Sequence, residues 1–123
     1  INISQLFQTH KAKDKILTMT GVHPTTYLGI ISHENGLVTG FDTEAKISST
    51  IKGGYFICKP KIFDYLCGNP NCHLESDPLR KLIEEKQVAI FDHEGFWKHF
   101  DFFKDIVEFK QKLRQDQITW KIQ

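Results

Sequence analysis

Residues 92–101 read Asp-His-Glu-Gly-Phe-Trp-Lys-His-Phe-Asp, and this stretch guides the interpretation of the whole chain. It places a glycine and two large aromatic residues shortly before Asp101, which opens a strongly patterned helix. An aspartate at a helix start can cap the helix, because its carboxylate accepts a free backbone N–H. The same carboxylate could bind Mg²⁺, although one carboxylate holds that ion poorly and usually needs a second carboxylate plus substrate phosphates, so Asp101 would need a partner. The pattern alone leaves both roles open for Asp101.

Hydrophobic periodicity around this stretch predicts helices and strands that mix without strict alternation. Helices are expected over residues 3–11, 61–66 and about 101–114, and a further helix is expected to start after a cap at Ser76 or Asp77, with Pro78 in its first turn. Strands are expected over residues 16–22, 27–32, 37–41, 53–59 and 88–91. The Asn35-Gly36 pair predicts a hairpin turn between the second and third strands, because both residues tolerate positive φ. The expected fold class is therefore α/β, with a mixed sheet and flanking helices.

The chain has 123 residues, of which 40% are hydrophobic, and this length and composition are typical of one globular domain. Sixteen Lys and Arg nearly balance fifteen Asp and Glu, and the resulting net charge of +1 argues against a nucleic-acid partner. No apolar run is long enough to span a membrane. Three cysteines are too few for a disulfide scaffold, so the expected location is the cytoplasm. Because the chain begins at Ile1, we expect a processed product or part of a longer protein.

Other candidate motifs are weaker on pattern alone. Gly53-Gly54 at a strand entrance would let a ligand approach the backbone, but a bulge or tight turn explains it equally. Lys52 beside it could meet a phosphate, or remain an exposed lysine at a strand end. Cys67 and Cys72 lack the second ligand pair of a structural zinc site. The glycine spacing fits neither a Walker nor a Rossmann phosphate loop.

Several motifs together resemble the C-terminal half of bacterial glucose-1-phosphate cytidylyltransferases, which are sugar-nucleotide pyrophosphorylases. The motifs are Gly53-Gly54-Tyr55-Phe56-Ile57, Asp77-Pro78-Leu79, His93-Glu94-Gly95-Phe96-Trp97 with Asp101, and Trp120-Lys121-Ile122. The resemblance covers nearly the whole chain in order, with one insertion around residues 67–72. It implies a nucleotide-diphospho-sugar transferase-like fold, in which residues 1–123 are the sugar-binding and metal-binding half.

That family forms CDP-glucose and pyrophosphate from CTP and glucose 1-phosphate, so the resemblance implies these substrates and Mg²⁺ for the complete enzyme. Two aspartates hold the ion in the family; Asp101 matches the second, and the first would precede Ile1. The implied reaction is in-line attack by the sugar phosphate on the α-phosphorus of CTP. The resemblance further implies that Lys46 or Lys52 orients the sugar phosphate. It assigns Gly53 and Gly54 to close approach of the hexose, and Glu75 or Asp77 to its hydroxyl groups.

The chain also departs from the family pattern. Lys52 stands where the family has Asn, Phe100 replaces a Met, and the Glu-Lys-Pro motif is altered around Lys46. Two functional hypotheses follow: a part of an active cytidylyltransferase, or a degenerate domain that binds sugar phosphate or assembles without catalysis. A third is an unrelated α+β domain in which Asp101 is only a cap. We expect the isolated chain to be inactive, and we expect an exposed sheet edge that promotes homo-oligomers.

Overall fold

The structure is a computed structural model that describes residues 1–26, 29–43, 45–66, 68 and 71–115. Tyr27, Cys67 and the predicted motif at Trp120 lie outside these residues. The elements follow in the order α1 (Ile3–Lys13), β1 (Leu17–Val22), β2 (Thr25–Thr26), β3 (Ile30–Glu34), β4 (Leu37–Asp42), β5 (Ala45–Lys46), β6 (Ile51–Cys58), a 3₁₀ helix (Pro60–Asp64), α2 (Asp77–Glu84), β7 (Val88–His93) and α3 (Phe103–Arg114).

The described residues form two compact units. The sheet unit contains Asn2–Gly21 and Lys52–His93, and the hairpin unit contains Ile1, Val22–Ile51 and the chain from Glu94. No described helix is long and apolar enough to cross a lipid bilayer. The expectation of a single domain stays a prediction.

A three-stranded sheet in the order β6-β1-β7 forms the centre of the sheet unit. The N–H of Leu17 at the start of β1 donates to the carbonyl of Gln87, just before β7, over 3.1 Å. These two strands therefore start at the same end and run parallel. On the other side, the N–H of Lys59 after β6 donates to the carbonyl of Ile16 before β1, over 2.8 Å, so this pair is antiparallel. The predicted α/β class with a mixed sheet and flanking helices is confirmed.

The central strand β1 is buried along both faces, whereas its alternating sequence predicts a half-buried strand. Leu17 packs in a cluster with Ile16, Ile62 and Leu82. Thr18 and Thr20 on the other face are also buried. Burial of both faces follows from the central place of β1 in the sheet, which its local sequence does not reveal.

Helix α1 covers the polar residues of β1 with a buried histidine. Asn2 caps the helix by accepting the N–H of Gln5 over 3.0 Å, and α1 ends at Asp14 in a left-handed conformation. His10 is buried, and its Nδ1 lies 2.8 Å from the hydroxyl oxygen of Thr18. Burial lowers the pKa of His10, and the nearby positive charge of Lys59 lowers it further.

The hairpin unit is built on β3 and β4, which pair as an antiparallel hairpin. Asn35 and Gly36 at its tip have φ values of 49° and 80°, as a type I′ turn requires, so the predicted hairpin is confirmed. Residues 42–50 are predicted as a polar loop. The structure instead pairs β5 within this segment with β2, placing Lys46 opposite Thr25.

Hydrophobic periodicity predicts that residues 53–59 form a buried strand and that three helices each bury an apolar face, and the structure corrects part of each prediction. The predicted faces are Ile62, Phe63 and Leu66 in the short helix, Leu79, Leu82 and Ile83 in the next, and Phe103, Ile106 and Val107 in the last. Strand β6 is mostly exposed where a buried strand is expected, and Cys58 at its end is exposed. Only Ile62 of the short helix is buried, while Phe63 is 71% exposed. Helix α2 buries Leu82 but leaves Ile83 57% exposed. Helix α3 begins at Phe103, two residues after the predicted start, and its apolar residues are largely exposed.

We predict that the free energy of unfolding rises with pH through the range in which His10 loses its proton. The folded pKa of His10 is lowered, so the unfolded chain binds the proton more tightly. The contribution of His10 to the free energy of unfolding is therefore complete above its pKa in the unfolded chain, about 6.5. It is lost as the pH falls through the pKa of His10 in the folded protein. Urea unfolding at a series of pH values measures it. His10→Gln should flatten the profile, whereas His33→Gln in the exposed hairpin should keep it; equal slopes in all three proteins would contradict the assignment.

Truncation of Leu82 should strongly destabilise the sheet unit. Leu82 is fully buried in the cluster with Ile16 and Leu17, so Leu82→Ala should cost about 2–5 kcal/mol of unfolding free energy. The adjacent Ile83→Ala change on the exposed face should cost less than about 1 kcal/mol. Chemical denaturation of both variants measures the difference, and a cost for Ile83→Ala equal to that for Leu82→Ala would show that the burial assignment is wrong.

Candidate functional site

The start of α3 is held by Asp105, not by Asp101. One carboxylate oxygen of Asp105, Oδ2, accepts the N–H of Phe102 over 3.0 Å and the N–H of Asp101 over 3.2 Å. Two amides that precede the helix are thereby satisfied by a side chain one turn inside it. Of the two roles left open for Asp101, the helix cap is therefore wrong, since the residue at the cap position is Phe102.

Asp105 is also buried, and it forms an ion pair with a lysine that a second carboxylate contacts as well. Its side chain is 8% exposed, and its second oxygen, Oδ1, lies 3.4 Å from Nζ of Lys98. Lys98 Nζ also lies 3.8 Å from a carboxylate oxygen of Glu108. The N–H of Phe102 holds the pKa of Asp105 below its usual range; Lys98 and the N–H of Asp101 add to this effect, while burial opposes it. Asp105 is therefore ionised at neutral pH.

Aromatic contacts fix the Gly-Phe-Trp segment, Gly95 to Trp97, against the same helix. The ring of Phe109 stacks on Phe96 with centroids 6.2 Å apart and forms a T-shaped pair with Phe100, with centroids 5.0 Å apart. Phe109 lies one helical turn after Asp105, so both residues share one face of α3. Helix α3 therefore holds residues 96–102 by one polar and one aromatic anchor.

The hairpin unit contains a cleft of about 280 Å³. Its walls come from three places: the β2–β5 pair, the segment from Glu94 to His99, and the last turns of α3. The lining residues are His23, Pro24, Thr25, Lys46, Glu94, Gly95, Phe96, Trp97, Lys98, His99, Glu108, Phe109 and Lys112. Lys46, predicted from the altered lysine motif, is thus brought to the same cleft as the Gly-Phe-Trp segment, some fifty residues later in the chain.

The cleft combines an apolar wall with an excess of positive side chains. Three lysines and two glutamates line it, together with His23 and His99. Lys98 is neutralised by Asp105 and Glu108. Lys46 forms no ion pair with any residue in the described parts of the chain. A lysine without a carboxylate partner beside aromatic side chains is suited to an anionic ligand that also carries a less polar group.

Asp101 lies next to the cleft but does not line it. Its side chain is 69% exposed, and Oδ2 lies 3.9 Å from Nε2 of the cleft residue His99. The carboxylate is a hard oxygen donor, as Mg²⁺ requires, and the geometry above leaves it free of the α3 amides. One exposed carboxylate fits a single protein ligand of a hydrated Mg²⁺ ion, with water and substrate phosphates supplying the remaining positions.

The other predicted site residues lie in the sheet unit. Lys52 and Glu75 form an ion pair of 2.5 Å, so two residues predicted to contact substrate contact each other. Gly53 is buried in β6, and Gly54 has a φ of +82° that favours glycine. Asp77 is exposed in the first turn of α2 and pairs with Arg80 over 3.1 Å. Their roles toward substrate stay predictions.

Sequence reasoning missed Asp105 and Lys98. Neither residue stands out in a motif, and the helical pattern starts near Asp101, so only Asp101 is considered as a cap. A signal was present, because an acidic residue three positions after the cap residue is typical of a side chain that reaches back to the helix start. It was hidden because the cap position is occupied by Phe102, which offers no side-chain acceptor.

Comparison with known proteins finds relatives that are named as cytidylyltransferases and guanyltransferases. No protein-family model matches the chain. A probable glucose-1-phosphate cytidylyltransferase of Bacillus subtilis is 32% identical over 122 residues, which are 99% of this chain and 48% of the relative. The glucose-1-phosphate cytidylyltransferase of Salmonella typhi is 29% identical over 98% of this chain and 47% of its own length. A mannose-1-phosphate guanyltransferase of Saccharomyces cerevisiae is 28% identical over 85% of this chain and 30% of the relative.

The chain thus spans about half the length of the cytidylyltransferases that it matches. Its similarity extends to guanyltransferases that are named for another sugar 1-phosphate, at lower coverage. The resemblance carried by the Gly-Phe-Trp segment and the glycine doublet is confirmed: the chain is a homologue of glucose-1-phosphate cytidylyltransferases and corresponds to their C-terminal part.

Proposed function

We propose that this chain supplies the sugar-phosphate-binding and Mg²⁺-binding part of a cytoplasmic nucleotidyltransferase that forms CDP-glucose and pyrophosphate from CTP and glucose 1-phosphate. The observation that carries the proposal is the meeting of Lys46 with the Gly-Phe-Trp segment in one cleft of the hairpin unit. The names of the relatives, which are cytidylyltransferases and guanyltransferases for sugar 1-phosphates, support the class of reaction.

In this proposal Lys46 binds the phosphate of the sugar 1-phosphate. Its ammonium group is a compact point charge that requires no fixed orientation of the phosphate oxygens. The aromatic side chains Phe96 and Trp97 form the wall against which the less polar face of the hexose packs. A cleft of about 280 Å³ is near the lower end of small-molecule sites and suits one phosphorylated hexose better than a nucleotide sugar.

Asp101 would hold Mg²⁺ through its exposed carboxylate, beside the cleft rather than within it. When bound, the ion would neutralise the charge that develops on the phosphate oxygens. The chain's own contribution is to place a hard oxygen ligand next to His99 at the edge of the cleft. In this proposal Lys46 would bind the phosphate group directly, and Asp101 would bind the same group through Mg²⁺ from another place on the hairpin unit.

The second candidate is a degenerate domain that binds sugar phosphate or mediates assembly without catalysis. The Lys52–Glu75 ion pair favours it, because the family has Asn at the first of these positions and the pair occupies both side chains. This candidate shares the sugar-phosphate cleft and differs in lacking any role for Asp101. Dependence of ligand binding on Asp101 and Mg²⁺ therefore separates the two.

Lys46→Ala should weaken binding of glucose 1-phosphate to this chain at least tenfold. The reason is loss of the unpaired ammonium group in the cleft, and titration calorimetry or amide shifts in NMR measure it. Lys110→Ala is the matched control, because Lys110 is an exposed lysine of α3 that does not line the cleft. Equal affinities of the two variants and the wild-type chain for glucose 1-phosphate would show that its phosphate does not bind at Lys46.

Mg²⁺ should strengthen this binding in the wild-type chain, and Asp101→Asn should remove the effect of the ion while leaving Mg²⁺-free affinity within about twofold. The amide keeps the size of the side chain but loses the negative charge that Mg²⁺ requires. An undiminished Mg²⁺ effect in Asp101→Asn would favour the degenerate domain.

We also predict that this chain alone forms no CDP-glucose from CTP and glucose 1-phosphate. The departures around Lys46 and Lys52, and the absence of a glycine-rich phosphate loop from the sequence, are the reasons. A coupled assay for pyrophosphate, with chromatography of the nucleotide products, tests this. Product formation that Asp101→Asn abolishes would overturn the prediction.

A further inference from the structure

We propose that Asp105 is the positioning residue for Asp101: its buried carboxylate fixes the backbone that carries the Mg²⁺ ligand and ties it to the wall of the cleft. The inference rests on the proposed function for the role of Asp101. It goes beyond that function because Asp105 touches neither the sugar phosphate nor the ion.

The hydrogen bonds made by Asp105 show how it would act. Oδ2 accepts the N–H of Asp101 itself and the N–H of Phe102, the residue at the helix cap position. These two bonds fix the peptide planes on both sides of the Asp101 α-carbon. The direction in which the Asp101 side chain leaves the backbone is thereby set, although that side chain is mostly exposed and has few contacts of its own.

The second oxygen connects this backbone to the cleft. Oδ1 contacts Lys98, which lines the cleft and is itself partly buried. Lys98 is three residues before Asp101, so the carboxylate closes a short loop over residues 98–102. One buried side chain therefore sets the distance between the Mg²⁺ ligand and the cleft wall.

A helix cap alone does not need all the contacts that Asp105 makes. Capping is satisfied by one bond to an amide at the helix start and does not require a link to Lys98. The carboxylate is buried and carries a charge, and a buried charge is retained only when its partners compensate for lost hydration. Glu108 contacts the same lysine at 3.8 Å from an exposed position, yet it has no bond to the loop amides in the structure described here.

Amide hydrogen exchange followed by NMR tests the first part on this chain. In Asp105→Ala the amides of Asp101 and Phe102 should exchange at least tenfold faster, while amides of the sheet unit keep their rates. Asp105→Asn retains an acceptor oxygen and should show a smaller increase. Glu108→Gln is the matched control, since it removes a negative charge beside Lys98 without freeing an amide, and both exchange rates should stay within twofold.

The Mg²⁺ effect on glucose 1-phosphate affinity tests the second part. Asp105→Ala should reduce that effect at least fivefold. The effect is measured as the ratio of affinities with and without Mg²⁺ in the same variant, because Lys98 in the cleft wall loses a carboxylate partner in Asp105→Ala and the Mg²⁺-free affinity changes for that reason alone. Asp105→Asn should restore part of the Mg²⁺ effect.

Unchanged exchange at Asp101 and Phe102 in both Asp105 variants would overturn the proposal. An even rise of exchange over all amides would do the same, because it would indicate general destabilisation. If Asp105→Ala shows faster exchange at Asp101 and Phe102 but keeps the full Mg²⁺ effect, Asp105 is only a helix cap and does not position Asp101 for the ion. If the wild-type chain shows no Mg²⁺ effect, the proposed function fails, and the exchange rates alone then decide whether Asp105 fixes Asp101.

Discussion

The hairpin unit depends on one buried negative charge. Asp105 is ionised and largely removed from water, and this is tolerated because two backbone N–H groups and the ammonium group of Lys98 surround it. Desolvation would otherwise favour the neutral acid, so the lowered pKa of Asp105 shows that its donors outweigh burial. The loop before α3, including the Gly-Phe-Trp segment, takes its shape from this charge and from the ring of Phe109 one turn later.

The charged side chains at the cleft divide into those that form ion pairs within the fold and those that do not. Lys98 is neutralised by carboxylates and serves the fold, whereas Lys46 faces the cleft without an ion-pair partner among the described residues. Asp101 in turn makes no bond to the helix amides, because Asp105 has taken that role. Because the Asp101 carboxylate does not cap α3, its charge is available to a ligand. This availability is the physical basis of the proposed function.

Much of the fold could be predicted from the sequence, and the errors have a common cause. The Asn35-Gly36 turn, the Pro78 helix start and the strand that ends at Val22 are local signals, and each appears where expected. Burial was predicted less well: Ile83 and Phe103 match a helical apolar face yet are exposed, while β1 is covered on both faces. Periodicity shows which residues share a face, but what packs on that face depends on distant segments.

The sequence by itself determined most of the helices and strands, but not β2 and β5, and, through the order of its motifs, the relationship to sugar nucleotidyltransferases. It also determined that Asp101 and Lys46 are present as candidates, since residue type and spacing suffice for that. Only the tertiary structure decided which aspartate holds the helix start, because the choice depends on Lys98 and two amides meeting Asp105 in a buried place. It also decided that Lys46 shares a cleft with Trp97, because the β2–β5 pair and the segment from Glu94 to His99 form walls of the same cleft although they are far apart in the chain.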